Sequence, residues 1–147
     1  MRSNVLLAIA GVGLAGCAGL PPDGGTGGRT LDNCDGHGAC KVSVSVTNCA
    51  IAPDPETLPV TGKNILIFWE LDLGSMLYRF PDDGIKLKTP STEFDEPEAQ
   101  AHGKKFKLHD KNSLPGEHRY QYAIRVQRLV MFNWVDCPPL DPWVVNR

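Results

Sequence analysis

The sequence predicts an all-β fold, namely an antiparallel β-sandwich of about seven strands. Apolar residues recur at every second position in several segments, which is the period of a strand. The 15 glycines and 12 prolines divide these segments into short runs. No segment after residue 17 has a convincing 3.6-residue period. Short strands separated by such turns are typical of a sandwich, with a small barrel as the alternative.

The first half of the predicted domain contains one strand buried on a single face and one strand buried on both faces. Residues 41–47 alternate valine with serine, threonine or lysine, as in a strand with one buried and one solvated face. Three prolines in residues 50–62 predict a loop or a sheet edge, because proline cannot donate to a central ladder. Residues 65–71 carry apolar side chains on both faces, which predicts a central strand.

The later segments follow the same rule. Shorter strands are expected at 76–80, 85–87, 106–108 and 143–145, with turns at 81–84 and 114–117. The longest predicted strand is 118–129, where apolar and polar residues alternate most regularly. The acidic run 93–98 and the basic run 104–107 are interpreted as solvated loops or strand ends.

The N-terminus has the layout of a secretory signal. Arg2 precedes an apolar run, residues 5–14, which ends in Ala15 and Gly16 before Cys17. Ten residues of helix cover about 15 Å, whereas a hydrocarbon layer is about 30 Å thick. The run is therefore too short to be a permanent membrane span.

The segment LAGC, residues 14–17, resembles the processing box of bacterial lipoproteins. The resemblance implies that Cys17 is lipidated and that residues 1–16 are removed. Two or more acyl chains anchor a protein stably to a membrane. Residue 18 is alanine rather than aspartate, which in lipoproteins of diderm bacteria implies sorting to the periplasmic face of the outer membrane.

Three regions follow from this reading. Residues 1–16 are the signal peptide, residues 17–33 are a lipidated tether rich in glycine and proline, and residues 34–147 are the folded domain. The 16 residues between Cys17 and Cys34 would have a root-mean-square reach of about 20 to 25 Å. The net charge of −2 gives no electrostatic case for binding nucleic acid.

Four cysteines remain once Cys17 is assigned to lipid. In an exported protein an even number predicts two disulfides among Cys34, Cys40, Cys49 and Cys137. A strand between Cys40 and Cys49 would hold them about 30 Å apart, which excludes a bond between them. Of the two remaining patterns, Cys34–Cys40 with Cys49–Cys137 is preferred, because the glycine-rich residues 35–39 can close a small loop.

A weaker resemblance covers residues 64–147. The segments NILIFWELD, YRFPDDGIKL, YQYAIRVQR and DPWVVNR resemble strands of exported bacterial proteins with cupredoxin-like or immunoglobulin-like sandwiches. A cupredoxin copper centre needs two histidines, a cysteine thiolate and usually a methionine. No histidine or methionine follows Cys137, so the sequence predicts that this redox site is absent.

Two further chemistries, metal binding and carboxylate catalysis, have candidate residues in the sequence. His37, His102, His109 and His118 could form a weak surface site for copper or zinc, but structural or surface histidines are the preferred interpretation. Glu70 and Asp72 would point to the same side of a strand, which is one arrangement of paired catalytic carboxylates, but a strand end that meets water is the preferred interpretation.

The sequence thus predicts a membrane-anchored envelope lipoprotein with a non-catalytic binding or structural role. No catalytic residue, metal ligand or cofactor is assigned. Its predicted contacts are the membrane, through lipid on Cys17, and another envelope protein. The alternative is a periplasmic copper- or zinc-binding protein that uses surface histidines.

Overall fold

A computed structural model describes Cys34 and residues 38–147. The fold is a β-sandwich, as predicted, and contains twelve described strands rather than about seven. The strands are β1 (Ala39–Thr47), β2 (Ala50–Asp54), β3 (Thr57–Val60), β4 (Ile65–Leu71), β5 (Tyr78–Arg79), β6 (Ile85–Leu87), β7 (Phe94–Gln100), β8 (Lys105–Asp110), β9 (His118–Ile124), β10 (Gln127–Val130), β11 (Asn133–Asp136) and β12 (Trp143–Asn146). Short 3₁₀ turns lie at Leu73–Ser75 and Ala101–Gly103.

These strands form three sheets. The first has the order β2-β1-β4-β8-β7, the second β3-β12-β9-β6, and the third β11-β10-β5. Most neighbours are antiparallel, but β1 pairs with β4 and β3 with β12 in parallel. The proline-containing segments β2 and β3 both lie at sheet edges, which confirms the prediction for residues 50–62.

The core lies between the first and second sheets. The alternating residues Val42, Val44 and Val46 of β1 are all buried, as their spacing predicts. Trp69 on β4 and Tyr122 on β9 are the two largest fully buried side chains, and their ring centroids lie 5.4 Å apart. This contact joins the central strands of the two sheets.

Three strand predictions differ from the structure. The expected strand 118–129 is divided between β9 in the second sheet and β10 in the third. At the change of sheet, the Arg125 backbone N–H donates to the Gly84 carbonyl. The acidic run 93–98 lies largely in the edge strand β7. The strand expected at 76–80 is reduced to Tyr78–Arg79.

The two ends of β1 define two poles of the domain. Cys40, near its start, is bonded to Cys34, whereas the Val46 N–H, near its end, donates to Ser75 Oγ at 2.8 Å. About 20 Å of extended chain separates these residues. We call the first end the Cys34 pole and the second the hairpin pole, because the β10–β11 hairpin lies there.

Candidate binding surface

The four predicted disulfide cysteines are paired in the preferred pattern. Cys34 bonds Cys40 and Cys49 bonds Cys137, each with a Cα–Cα distance of 5.2 Å. The first bond closes a short loop at the Cys34 pole. The second ties the β1–β2 turn to the segment after β11. Cys17 and residues 1–16 lie outside the described residues.

Glu70 and Asp72 bind different partners. Glu70 binds Lys41 at 2.5 Å and Lys105 at 3.0 Å. Partial burial opposes ionisation, but the hydrogen bonds from these lysines hold the pKa of Glu70 below its ordinary value. Asp72 instead accepts a hydrogen bond from Ser75 Oγ at 2.6 Å. Glu70 thus links β4 to β1 and β8, whereas Asp72 links the end of β4 to the following 3₁₀ turn.

The described histidines are separated from one another by their local contacts. His109 Nδ1 lies 2.6 Å from Asp95 Oδ1, and His118 Nε2 lies 3.0 Å from the Pro115 carbonyl. His102 lies in the turn between β7 and β8 with φ of 55°. Within Cys34 and residues 38–147, no group of three histidine, cysteine or acidic side chains is arranged to hold a metal ion. His37 lies outside the described residues.

Among the residues that the structure describes, the most exposed apolar side chains are concentrated at the hairpin pole. Phe132 is 98% exposed, Leu73 92% and Met131 87%. We define the hairpin patch as the exposed apolar residues of the β10–β11 hairpin and of the neighbouring loop: Leu73, Met76, Leu77, Val130, Met131, Phe132 and Val135. Extended apolar patches of this kind mark sites of interaction with proteins or membranes.

The turn at the tip of the hairpin contains residues that are unfavourable for its backbone conformation. Val130 and Asn133 pair directly, so Met131 and Phe132 form a two-residue turn, with φ of 46° and 69°. Positive φ at both positions corresponds to a type I′ turn, for which Asn-Gly is the favoured sequence. A bulky residue with positive φ is strained, and such strain is concentrated at functional sites. Two large apolar residues are thus held at the most exposed point of the hairpin.

Lys104 fixes the loop that carries the other half of the patch. Its ammonium donates to the carbonyls of Ser75, Met76 and Tyr78, at 3.4 Å and 2.6 Å for the first two. Burial lowers the pKa of Lys104. The Leu129 N–H also donates to the Leu77 carbonyl at 2.8 Å, which attaches the loop to β10. The loop and the hairpin therefore form one continuous surface.

Arg79 lies behind the tip on one face of the hairpin. Its guanidinium carbon is 4.3 Å from the Trp134 ring centroid, and its Nε donates to Gln127 Oε1 at 2.9 Å. Both of these partners are neutral. Arg79, His102 and Gln127 also line an open cleft of about 530 Å³ beside the hairpin, and Asp82 is an acidic residue that lines the same cleft.

A buried polar cluster lies toward the opposite pole and serves the fold. Asp110 Oδ1 accepts from the Asn112 backbone and from Asn146 Nδ2, both at 2.9 Å. Asn112 Nδ2 in turn donates to the Gly62 carbonyl at 3.0 Å. Glu93 accepts from the Ser113 N–H and hydroxyl, and these hydrogen bonds hold its pKa below the ordinary value. These contacts tie β12 and the connecting loops to β8.

The hairpin patch was not foreseen from the sequence. Met131 and Phe132 extend the apolar run of residues 129–132, which by composition favours a strand rather than a turn. The available signal was the position of Asn133 immediately after that run, since asparagine is common in turns.

Comparison with known proteins finds no matching family model and no similar curated sequence. In the described part of the chain, no helix combines the length and apolar character that crossing a bilayer requires.

Proposed function

We propose that this protein is a lipid-anchored component of the bacterial envelope, held through Cys17 at the periplasmic face of the outer membrane, and that its folded domain acts by binding. The hairpin patch is the observation that carries the binding role. Its seven apolar residues are exposed at one pole of an otherwise well-packed sandwich. Selection for a soluble monomer alone would disfavour such a patch.

Export is supported by two independent features. The LAGC segment at residues 14–17 provides the lipidation signal. The disulfides Cys34–Cys40 and Cys49–Cys137 are of the kind that persists in an oxidising compartment. The folded domain binds another component of the envelope. The sequence by itself predicts an envelope protein as that component.

Fatty-acid labelling tests the anchor. Cells that express the full chain are grown with labelled palmitate and separated into soluble and membrane fractions. The native chain should carry label and remain with membranes, whereas Cys17→Ser should carry none. The matched control is the double variant Cys34→Ser, Cys40→Ser, which removes two other cysteines and should keep the label. Equal labelling of native chain and Cys17→Ser would contradict the proposed anchor.

A further inference from the structure

We propose that the tip of the β10–β11 hairpin enters a lipid bilayer, with Met131 and Phe132 among the acyl chains and Arg79 and Arg128 at the level of anionic headgroups. The inference rests on the proposed function, because the lipid on Cys17 brings the domain to a membrane. It goes beyond that function by naming the occupant of the hairpin patch.

The shape of the patch favours a fluid occupant. Cross-strand partners share one face of a hairpin, so Arg128 and Val135 lie on one face, and Leu129 and Trp134 on the other. Val135 is 51% exposed, and Leu77, which hydrogen-bonds Leu129, is 54% exposed. Apolar surface thus surrounds the tip. A flat protein surface covers one face of such a projection, whereas acyl chains cover both faces and the end.

The charges behind the tip fit phospholipid headgroups. Arg128 lies on β10, three residues before Met131, and Arg79 lies on β5, which pairs with β10. Lys104 lies just before β8, and its ammonium is occupied by the carbonyls of the bordering loop. The hydrogen-bond partners of Arg79 and Lys104 are neutral groups. The nearby carboxylate of Asp136 already binds Gln127 and faces Arg125. Each basic residue near an anionic membrane surface adds to the attraction.

Trp134 occupies the position of an interfacial residue. It is partly buried, two residues beyond Phe132, and its ring lies against the Arg79 guanidinium. Tryptophan is enriched where a protein passes from hydrocarbon to water, because its ring is apolar and its N–H is polar. Behind the turn, the cross-strand pairs are Val130 with Asn133, then Leu129 with Trp134, then Arg128 with Val135. The indole therefore lies between the apolar tip and the first cation.

The covalent anchor permits this orientation. The anchor enters the domain at the Cys34 pole, opposite the hairpin. Sixteen residues separate Cys17 from Cys34, and at full extension this segment spans about 55 to 60 Å. This exceeds the roughly 20 Å between the two ends of β1. The hairpin pole can consequently reach the same membrane that holds Cys17.

Depth measurement on the full lipidated chain tests the inference. An environment-sensitive fluorescent amino acid replaces Phe132 in one protein and the exposed Lys63 in another. Both are reconstituted in vesicles with about a third anionic phospholipid. We expect neutral aqueous acrylamide to quench position 132 at least three-fold less than position 63, and bromine on the acyl chains to quench only position 132. Equal quenching at both positions would overturn the inference.

Two double variants separate the contribution of the apolar tip from that of the arginines. With the fluorophore at Val135 instead, the exchange Met131→Asn, Phe132→Gly should abolish its protection while retaining a favourable turn. Arg79→Glu with Arg128→Glu should reduce protection on anionic vesicles and leave it unchanged on neutral ones. Protection in native membranes but not in pure lipid would identify a protein occupant and overturn the lipid assignment. A chain that floats with vesicles while position 132 stays in water leaves the Cys17 anchor intact, whereas a chain that does not float overturns both proposals.

Discussion

Trp69 Nε1 donates a hydrogen bond to the Tyr122 hydroxyl across the interface of the two main sheets, at 3.3 Å. Both side chains are fully buried. Burial raises the pKa of Tyr122, so its hydroxyl stays protonated throughout the physiological range. The pair joins β4 to β9 by a polar contact within an otherwise apolar core.

We predict that Tyr122→Phe lowers the free energy of unfolding by about 1 to 3 kcal/mol, because it leaves the Trp69 N–H buried without an acceptor. Trp69→Phe removes the donor as well as core volume and should lower the free energy of unfolding by about 3 kcal/mol, the upper end of that range. Trp143→Phe, at a side chain that is 41% exposed, is the control and should change stability little. Denaturant unfolding measures all three. A Tyr122→Phe protein as stable as the native one would show that this contact does not support the fold.

The two disulfides should differ in importance. The Cys49–Cys137 bond spans 88 residues and the Cys34–Cys40 bond only 6. On the chain-entropy model these contribute about 4.5 and about 2 kcal/mol respectively. Replacing Cys49 and Cys137 by alanine should therefore lower the midpoint of urea unfolding more than replacing Cys34 and Cys40. The opposite order would mean that the small loop stabilises the native state by more than closure entropy.

Asp110 should make stability depend on pH. It is fully buried, and burial raises its pKa to about 6 from 3.8. In the ionised state its Oδ2 and Asn146 Oδ1 are buried acceptors without a donor in the described residues. A proton on Asp110 converts one of these acceptors into a donor. Among neighbouring titratable groups, Glu93 raises the pKa of Asp110 further and His109 opposes this rise.

The sign follows from the raised pKa. The fold favours protonated Asp110, so this stabilisation is complete below about pH 4 and is lost as pH rises through 6. It amounts to about 3 kcal/mol in total. We expect the free energy of unfolding to be higher at pH 5 than at pH 7.5 in the native protein, and Asp110→Asn to remove most of that difference. The pKa of Glu93 is lowered from 4.5, so its effect on stability changes with pH below about 4.5 and not between pH 5 and 7.5. A native protein that is equally stable at both values would contradict a raised pKa for Asp110.

Gly103 should tolerate no side chain. A Cβ atom there would lie 2.6 Å from the Phe80 carbonyl oxygen, and the backbone has φ of 80°. Gly116 has φ of 87° with nothing within 4 Å, so Gly116→Ala measures the backbone strain alone, about 1 to 2 kcal/mol. Thermal unfolding should place Gly103→Ala clearly below Gly116→Ala. Similar melting temperatures would show that the Phe80 contact relaxes at no cost.

Local patterns predicted much of the fold but little of its assembly. The alternating valines of β1 and the regular spacing of β9 were sufficient to identify both strands. The extended chain between Cys40 and Cys49 excluded one disulfide pattern, and the glycine-rich residues 35–39 favoured the observed one of the other two. The parallel pairing of β1 with β4 joins residues distant in sequence, and no local pattern encodes it. The change of sheet near Arg125 is likewise a tertiary event, because the alternation continues through it.

The candidate surface was harder to predict for a related reason. Phe132 is of a type that favours strands, yet the pairing of Val130 with Asn133 places Met131 and Phe132 in a turn. The charged residues of β7 were interpreted as a solvated loop or strand end, whereas they occupy most of an edge strand, which exposes one side to water and accommodates them. In both places the tertiary structure overrides the local preference.

The central claim is that the hairpin patch of an anchored domain contacts the envelope. Its most direct test places a benzophenone amino acid at position 132 of the full chain in living cells, with the same group at Lys63 as the control. On irradiation, we predict phospholipid adducts at position 132 and few at position 63. Absence of any lipid or protein adduct at position 132, while the chain remains in the membrane fraction, would contradict the account.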